Sequence, residues 1–555
     1  MQSFVPIFSL LLFFTVLEAQ IPPHPFAPAS SWPEGHGTYA QQNSPLPGPT
    51  ELDSIVVDTI NLPEGFTGFF PTGTITTELN PLTNTYNYWG TNGKAIYKVV
   101  CLQDSTVVIS ELGSALGGNN FVSGYWLMDE AERGYFLSDY KLLVLEDDPL
   151  DPYSPIANAA VLDLSTYQIP DVNDDLWAVK LLYSGELVIT SSRGNIFVVD
   201  RNTLDVLDHV LLAGDSLINS MVVDEGNHVF INTKQELIKF RWRDGALSET
   251  WKVTLGESGS TPSLVGGAQQ RPEERLIAVT DKSNVMNLVL LYRDSIPADW
   301  AGLPNYPRRV AAVAPIDFNV EFPAFNVRPT QNSILVEGHS FLLARWDNLF
   351  PTANAFKPGL EKWTWDPVAR RLVQDWVNEE VYLPNSMQAL STSTGYVYAI
   401  GQTQRSSGEK YWCLKGVDWD SGEERLSIDL GPHGDTRFNT KGSGIQIGPF
   451  GDVITMSPEL ILRFRKFDPI VGVGAEAESP LKLFPNPSAG PLFLDVGEAV
   501  FDVVVFDVRG RRVWGKDRVL YHCWIDTEGW SRGTYLLRVR LVRSGEWITR
   551  TVVRH

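Results

Sequence analysis

Gly185-Glu186-Leu187-Val188-Ile189-Thr190 runs on to Gly194-Asn195-Ile196-Phe197-Val198-Val199-Asp200. Each half is a glycine turn followed by a short β-branched run, and the runs alternate with period two, which sends successive side chains to opposite faces of a sheet. The same unit returns three more times. Gly226-Asn227-His228-Val229-Phe230-Ile231-Asn232 leads to Glu236-Leu237-Ile238-Lys239-Phe240. Gly395-Tyr396-Val397-Tyr398-Ala399-Ile400 leads to residues 411–418, and Gly451-Asp452-Val453-Ile454-Thr455-Met456 leads to Leu460-Ile461-Leu462-Arg463-Phe464.

A repeat of roughly 40–50 residues built from short strands is the period of four-stranded propeller blades. Unit starts fall near Asn119, Asp174, Asn219, Thr261, Asn332, Asn385 and Lys441. The predicted fold is therefore all-β: a seven-bladed β-propeller over residues 51–470, with two stacked sandwiches as the competing arrangement. The last unit has room for three strands, so Ala95–Val100 or Thr106–Ser110 would supply the fourth and close the ring. An eight-bladed count, with a further blade around Tyr88–Leu112, is the alternative. Closure matters because radial repetition leaves few open sheet edges.

The chain ends differently. Leu483-Phe484-Pro485-Asn486-Pro487 precedes Val503-Val504-Val505-Phe506-Asp507-Val508-Arg509-Gly510, and Arg532-Gly533-Thr534-Tyr535-Leu536-Leu537 follows. Apolar runs bounded by Gly and Asp predict a small antiparallel β-sandwich, with Gly510 in a hairpin turn. In content and order, residues 481–555 resemble the C-terminal sorting domain of type IX secretion cargo. The resemblance implies that Pro485, Asn486, Pro487, Gly510, Gly533 and Tyr535 belong to a sorting signal. It also implies that the partner of this tail is the type IX secretion machinery, and that the tail is an address removed after export.

The other end agrees with export. Phe4–Leu17 is an apolar stretch of signal-peptide length, with Ala19 before the expected cut, so residues 1–19 read as a signal peptide. No later stretch is apolar enough to span a bilayer. Residues 20–50 are dense in proline and read as an extended linker, and 471–480 as a second one. The expected destination is outside the cell, secreted or on the outer surface of a Gram-negative bacterium. Net charge is −21 among 555 residues, which repels phosphate backbones and excludes nucleic acid as a partner. Cys101, Cys413 and Cys523 make no disulfide framework; Cys101 and Cys413 are left either to pair or to be buried separately.

Ser258-Gly259-Ser260-Thr261-Pro262-Ser263-Leu264-Val265-Gly266 and Leu276-Ile277-Ala278-Val279-Thr280-Asp281 resemble blades of the quinoprotein-like (PQQ-like) β-propeller superfamily. That resemblance speaks to architecture. It stops short of PQQ itself, because the adjacent Cys pair and strong Trp-docking repeats of quinone dehydrogenases are missing. No metal-ligand spacing and no nucleophile elbow is present, so the catalytic set is empty and no cofactor is expected.

One recurrence suggests a site. Asn219-Ser220-Met221, Asn332-Ser333-Ile334 and Asn385-Ser386-Met387 each precede an innermost strand, and Asn119, Asp174 and Thr261 hold equivalent positions. Such residues would ring one mouth of the central channel and bind a sugar, a peptide or protein, or calcium through hard oxygens. The competing reading is that they cap backbone groups at strand ends. Asn219 with Val222-Val223-Asp224 and Gly226 also resembles the calcium-dependent lactonase propellers, though the matching acid is missing. His228 and His339 fall at glycine turns and read as structural. The functional expectation is a non-enzymatic binding propeller; the alternative is an extracellular lyase or hydrolase acting on polysaccharide or lactone at the channel mouth.

Overall fold

The computed structural model describes residues 21–28, 30, 34, 43–63, 71–80, 83–112, 121–170, 172–217, 219–256, 260–267, 269–282, 286–319, 330, 332–345, 358–384, 386–466, 482–484, 490–495, 500–507, 511–519, 522–541 and 547–554. The expected signal peptide, the joint at 471–480, Asn119, Asn385, Pro485, Asn486, Pro487 and Gly510 lie outside them. The chain divides into two compact units, Met1–Asp468 and Pro469–His555. No helix among the described residues is long and apolar enough to cross a membrane.

The first unit is a β-propeller. Its described residues form eight sheets of four antiparallel strands in chain order: sheets I (72–112), II (127–163), III (176–211), IV (222–254), V (263–315), VI (335–378), VII (389–432) and VIII (446–466 with Ile55–Asn61). Period-two alternation explains the stacking. On Leu187–Ser191, Leu187 and Ile189 enter an apolar core shared with sheet II, while Val188 enters the core shared with sheet IV. Each later core again joins two successive sheets: Phe230 with Ile277, Leu290 with Phe341, Leu342 with Val397. The last one joins sheets VII, VIII and I through Tyr398, Leu462 and Tyr88, and Trp89 with Phe136 joins I to II. Each fully buried aliphatic or aromatic side chain contributes about 1.5–3 kcal/mol, and because every sheet has two apolar faces, closing the circle is what buries both.

Two sequence expectations are corrected. The outer strand of sheet VIII is Ile55–Asn61, paired antiparallel from Ile55 opposite Lys466 to Asn61 opposite Leu460. Ala95–Val100 and Thr106–Ser110 instead lie inside sheet I, where Ile96–Leu102 pairs with Thr85–Thr91 and Thr106–Leu112. Electrostatics pins the closing strand: Arg465 Nε sits 3.0 Å from Asp58 Oδ2, which also accepts from Thr106 Oγ1 at 2.7 Å. Nor do the described residues of the proline-rich stretch run free. Asn43–Ser44 adds a parallel fifth strand to sheet VII, Glu34 pairs with Lys180, and the His24 ring lies 4.3 Å from that of Tyr183. Proline favours extended backbone without forbidding it to pack.

Cys101 and Cys413 are buried and unpaired, in sheets I and VII. In the second unit, Lys482–Phe484, Leu492–Asp495 and His522–Ile525 form one sheet, and Val500–Asp507, Arg512–Val519, Gly533–Leu541 and Trp547–Arg554 another. Leu494, Val505, Leu537 and Val552 share their core.

Candidate functional site

The inner strands are sewn together by short polar side chains. Thr72 Oγ1 donates to Gly124 O, and Ser123 Oγ to Trp177 O. Asn232 Nδ2 donates to Ser260 O at 3.0 Å, Ser263 Oγ to Ile334 O at 2.7 Å and Asn332 Nδ2 to Ser386 O at 3.2 Å. Sheets VII and VIII exchange backbone bonds, Met387 N to Ser443 O and Ile445 N to Met387 O. A third contact closes VIII onto I: buried Arg463 donates from Nε to Asp452 Oδ2 at 2.5 Å and from Nη1 to Ser105 O at 2.7 Å, and Tyr86 OH donates to the same carboxylate.

Against that frame the predicted ring separates. Asp174 is fully buried, and its carboxylate accepts from Tyr140 OH (2.9 Å), Asn195 Nδ2 (3.2 Å), Ile169 N (3.3 Å) and Arg193 N (3.1 Å). It therefore ties sheet II to sheet III, the capping role. Thr261 and Asn332 are also buried, at 7% and 4% exposure, but Thr261 Oγ1 and Asn332 Oδ1 have no hydrogen-bond partner. Gln388 Oε1 and Gln446 Oε1, at the inner strands of sheets VII and VIII, share that condition. A buried polar atom without a partner is costly unless water or a ligand satisfies it. Asn219 is half-buried. Sequence reasoning missed the two glutamines, although each stands two residues past a Ser or Gly that accepts its own amide, Ser386 and Gly444.

A second cluster lies at the far end of the inner strand from Asn219. Asp224, His228 and Asp294 bring ligand atoms within 4.8 Å of one another, a spacing a metal could use. His228 Nδ1 is 2.8 Å from Asp224 Oδ1. Cations already answer the carboxylates, however: Lys239 Nζ at 2.8 Å and Arg275 Nη2 at 3.1 Å from Asp294, and Arg293 Nε at 3.7 Å from Asp224. Burial raises the Asp224 carboxyl, but the hydrogen bond from His228 and the Arg293 charge outweigh it and hold the group below the ordinary carboxylate range. The chemistry is that of an ion network locking sheet IV to sheet V.

In the tail, Tyr535 is buried, its hydroxyl donates to Ser531 O at 2.7 Å and its ring lies 4.6 Å from that of Trp530. Gly533 is exposed with φ at 148°; space is open around it, so this backbone conformation alone calls for glycine.

Residues 482–554 match the family described as the secretion system C-terminal sorting domain. Its presence implies export by the type IX system, to the cell surface or extracellular space in Bacteroidetes. An uncharacterized protein of Archaeoglobus fulgidus is 26% identical over 324 residues; the alignment covers 52% of this chain and 61% of that relative. This chain thus spans less than two thirds of the relative's length. Among solved structures, the C-terminal WD40 domain of Sif2 aligns with a TM-score of 0.45 at 10% identity, over 74% of this chain and 99% of that one. A chain of the mitotic checkpoint complex aligns with a TM-score of 0.34 at 10% identity, over 61% and 87%.

Proposed function

We propose that this protein is an exported, non-catalytic, eight-bladed propeller of quinoprotein-like type, which binds a small polar ligand or a partner through its inner ring. In this reading residues 1–19 are removed as a signal peptide. Residues 481–555 form a small β-sandwich read by the type IX machinery, and the propeller works at the cell surface or beyond it. The ring groups are Asn219, Thr261 and Asn332, joined by Gln388 and Gln446 and, from the sequence pattern, by Asn119 and Asn385; Asp174 is structural.

The observation that carries the reading is the set of buried, partnerless ring oxygens on Thr261, Asn332, Gln388 and Gln446. These amides and hydroxyls can orient a sugar or a peptide, but the Thr261 hydroxyl has no hydrogen-bond partner and so lacks the adjacent base that would activate it as a nucleophile. The test has two parts. Intact-mass measurement of the protein from culture medium and from the surface fraction should show both ends trimmed; a full-length cytosolic product refutes export. Saturation-transfer NMR against neutral oligosaccharides and short peptides should give signals that fall when Asn332 and Thr261 are replaced together by Ala. Signals unchanged in that variant place binding elsewhere.

A further inference from the structure

The turn between the first two strands has one hydrogen-bond scheme in four sheets. Its first N–H donates to the fifth carbonyl: Asp129 to Arg133, Leu182 to Glu186, Asp224 to His228 and Gly448 to Asp452. Its fourth N–H returns to the first carbonyl, from Glu132, Gly185, Asn227 and Gly451. That fourth residue is left-handed throughout, with φ at 59°, 106°, 57° and 71° in the same order. Glycine and asparagine accept this conformation readily and glutamate does not. Sheet II nevertheless places Glu132 there.

Glu132 lines a cleft of about 350 Å³, together with Glu78, Glu130 and Asn87. Asn87 is 5% exposed, and its Oδ1 is buried without a hydrogen-bond partner. Glu130 is anchored by Arg201, whose Nη2 is 2.7 Å from Oε1. Leu79, Pro149 and Pro152 supply apolar wall. Burial, with the Asp147 charge added and Lys98 opposing, pushes the Glu132 carboxyl up to about 7, so a carboxylate at this point lacks a sufficient counter-charge.

We infer that this cleft binds an organic cation: a protonated primary amine or a guanidinium on a short apolar stem, the size of a lysine or arginine side chain. The carboxylates and the buried Asn87 oxygen all accept hydrogen bonds, so they favour a ligand that only donates, as ammonium and guanidinium do. Proline and leucine cover the methylene stem of such a cation, as apolar surface does for lysine stems generally. The formal charge of −21 raises the local concentration of cations. This site is separate from the inner ring, so either can fail without the other.

Titration calorimetry on the exported protein tests it, with cadaverine, Nα-acetyl-lysine methylamide and the same compound acetylated on Nε as probes. At pH 8 the two amines bind saturably and the Nε-acetylated probe does not. Cadaverine alone would mark a free diamine as the ligand; both amines would mark a chain-borne lysine. Glu132→Gln weakens amine binding roughly tenfold, with a melting temperature unchanged at pH 5, where the wild-type carboxyl is protonated. Glu132→Gly weakens it as much while raising the melting temperature, because glycine relieves the left-handed backbone. Wild-type binding also tightens from pH 6 to pH 8 as Glu132 ionises between Lys98, Asp147, Glu130 and Arg201, and Glu132→Gln removes that slope. Equal binding of the acetylated probe, wild-type affinity in Glu132→Gln, or no saturable heat with either amine at roughly 10 mM, enough to fill most of a site with a millimolar Kd, overturns the inference.

Discussion

Glu361 offers a quantitative test of the propeller packing. It sits on Leu360–Asp366 in sheet VI with no exposed surface. Gln374 Nε2 lies 3.4 Å from its Oε2. Burial pushes its carboxyl from the ordinary 4.5 up to about 7, with the Asp317 charge adding to the rise. Because the folded value exceeds the unfolded one, the stability tied to this group is complete below pH 4.5. It fades as pH climbs and is lost once pH passes 7. Some two and a half pH units at about 1.4 kcal/mol each give a loss of about 3 kcal/mol between pH 4.5 and pH 8.5. Glu361→Gln keeps shape and polarity but cannot ionise. Urea unfolding followed by tryptophan fluorescence at pH 5 and pH 8.5 reads the effect. The variant is expected to be more stable than wild type at pH 8.5 by about 2–3 kcal/mol and close to it at pH 5. If both proteins lose the same stability between the two pH values, the carboxyl is not held out of water and the buried placement of that strand is wrong.

Arg463→Met leaves the Asp452 carboxylate buried without its 2.5 Å partner, and should lower stability by about 3–5 kcal/mol, read as a drop in melting temperature; a neutral result refutes the closure contact. Replacing Ile55–Asn61 by a Gly/Ser segment bares the edge of Leu460–Lys466, and should produce self-association in light scattering; a clean monomer counts against this strand as the closing one. Burial pushes the thiols of Cys101 and Cys413 up to about 12 and about 11, so a thiol reagent at pH 8 should label neither until denaturant is added, and prompt native labelling contradicts their placement. Since Lys239, Arg275 and Arg293 already neutralise Asp224 and Asp294, the melting temperature should be the same in calcium and in EDTA. A calcium-dependent rise that Asp294→Asn abolishes would put a metal in that cluster.

What the sequence discloses and what it withholds follow from the range of the forces involved. Leu187, Val188 and Ile189 divide between two cores because a strand alternates its faces residue by residue, and that rule needs no knowledge of the rest of the chain. Sheets II to VIII were legible for the same reason. Pairing at a sheet edge obeys no such local rule. Ile55-Val56-Val57 reads as a strand anywhere, and its assignment to Leu460–Lys466 depends on Asp58 meeting Arg465 across some four hundred residues of chain. Asp174 and Asn332 make the same point for the ring. Both stand just ahead of an inner strand, yet one carboxylate is consumed by Tyr140 and Asn195 while the other side chain keeps an unanswered oxygen. Position in a repeat therefore predicts where a side chain starts, and its neighbours decide what it is free to bind. Glu132 inverts the case, because there the repeat itself carries the signal. Asp129-Glu130-Ala131-Glu132-Arg133 aligns with Asp224-Glu225-Gly226-Asn227-His228 in the bare sequence. The substitution of a glutamate where the turn wants asparagine or glycine is visible before any coordinate. It gains meaning only once the φ of 59° shows that the chain accepts the conformation with the wrong residue in place.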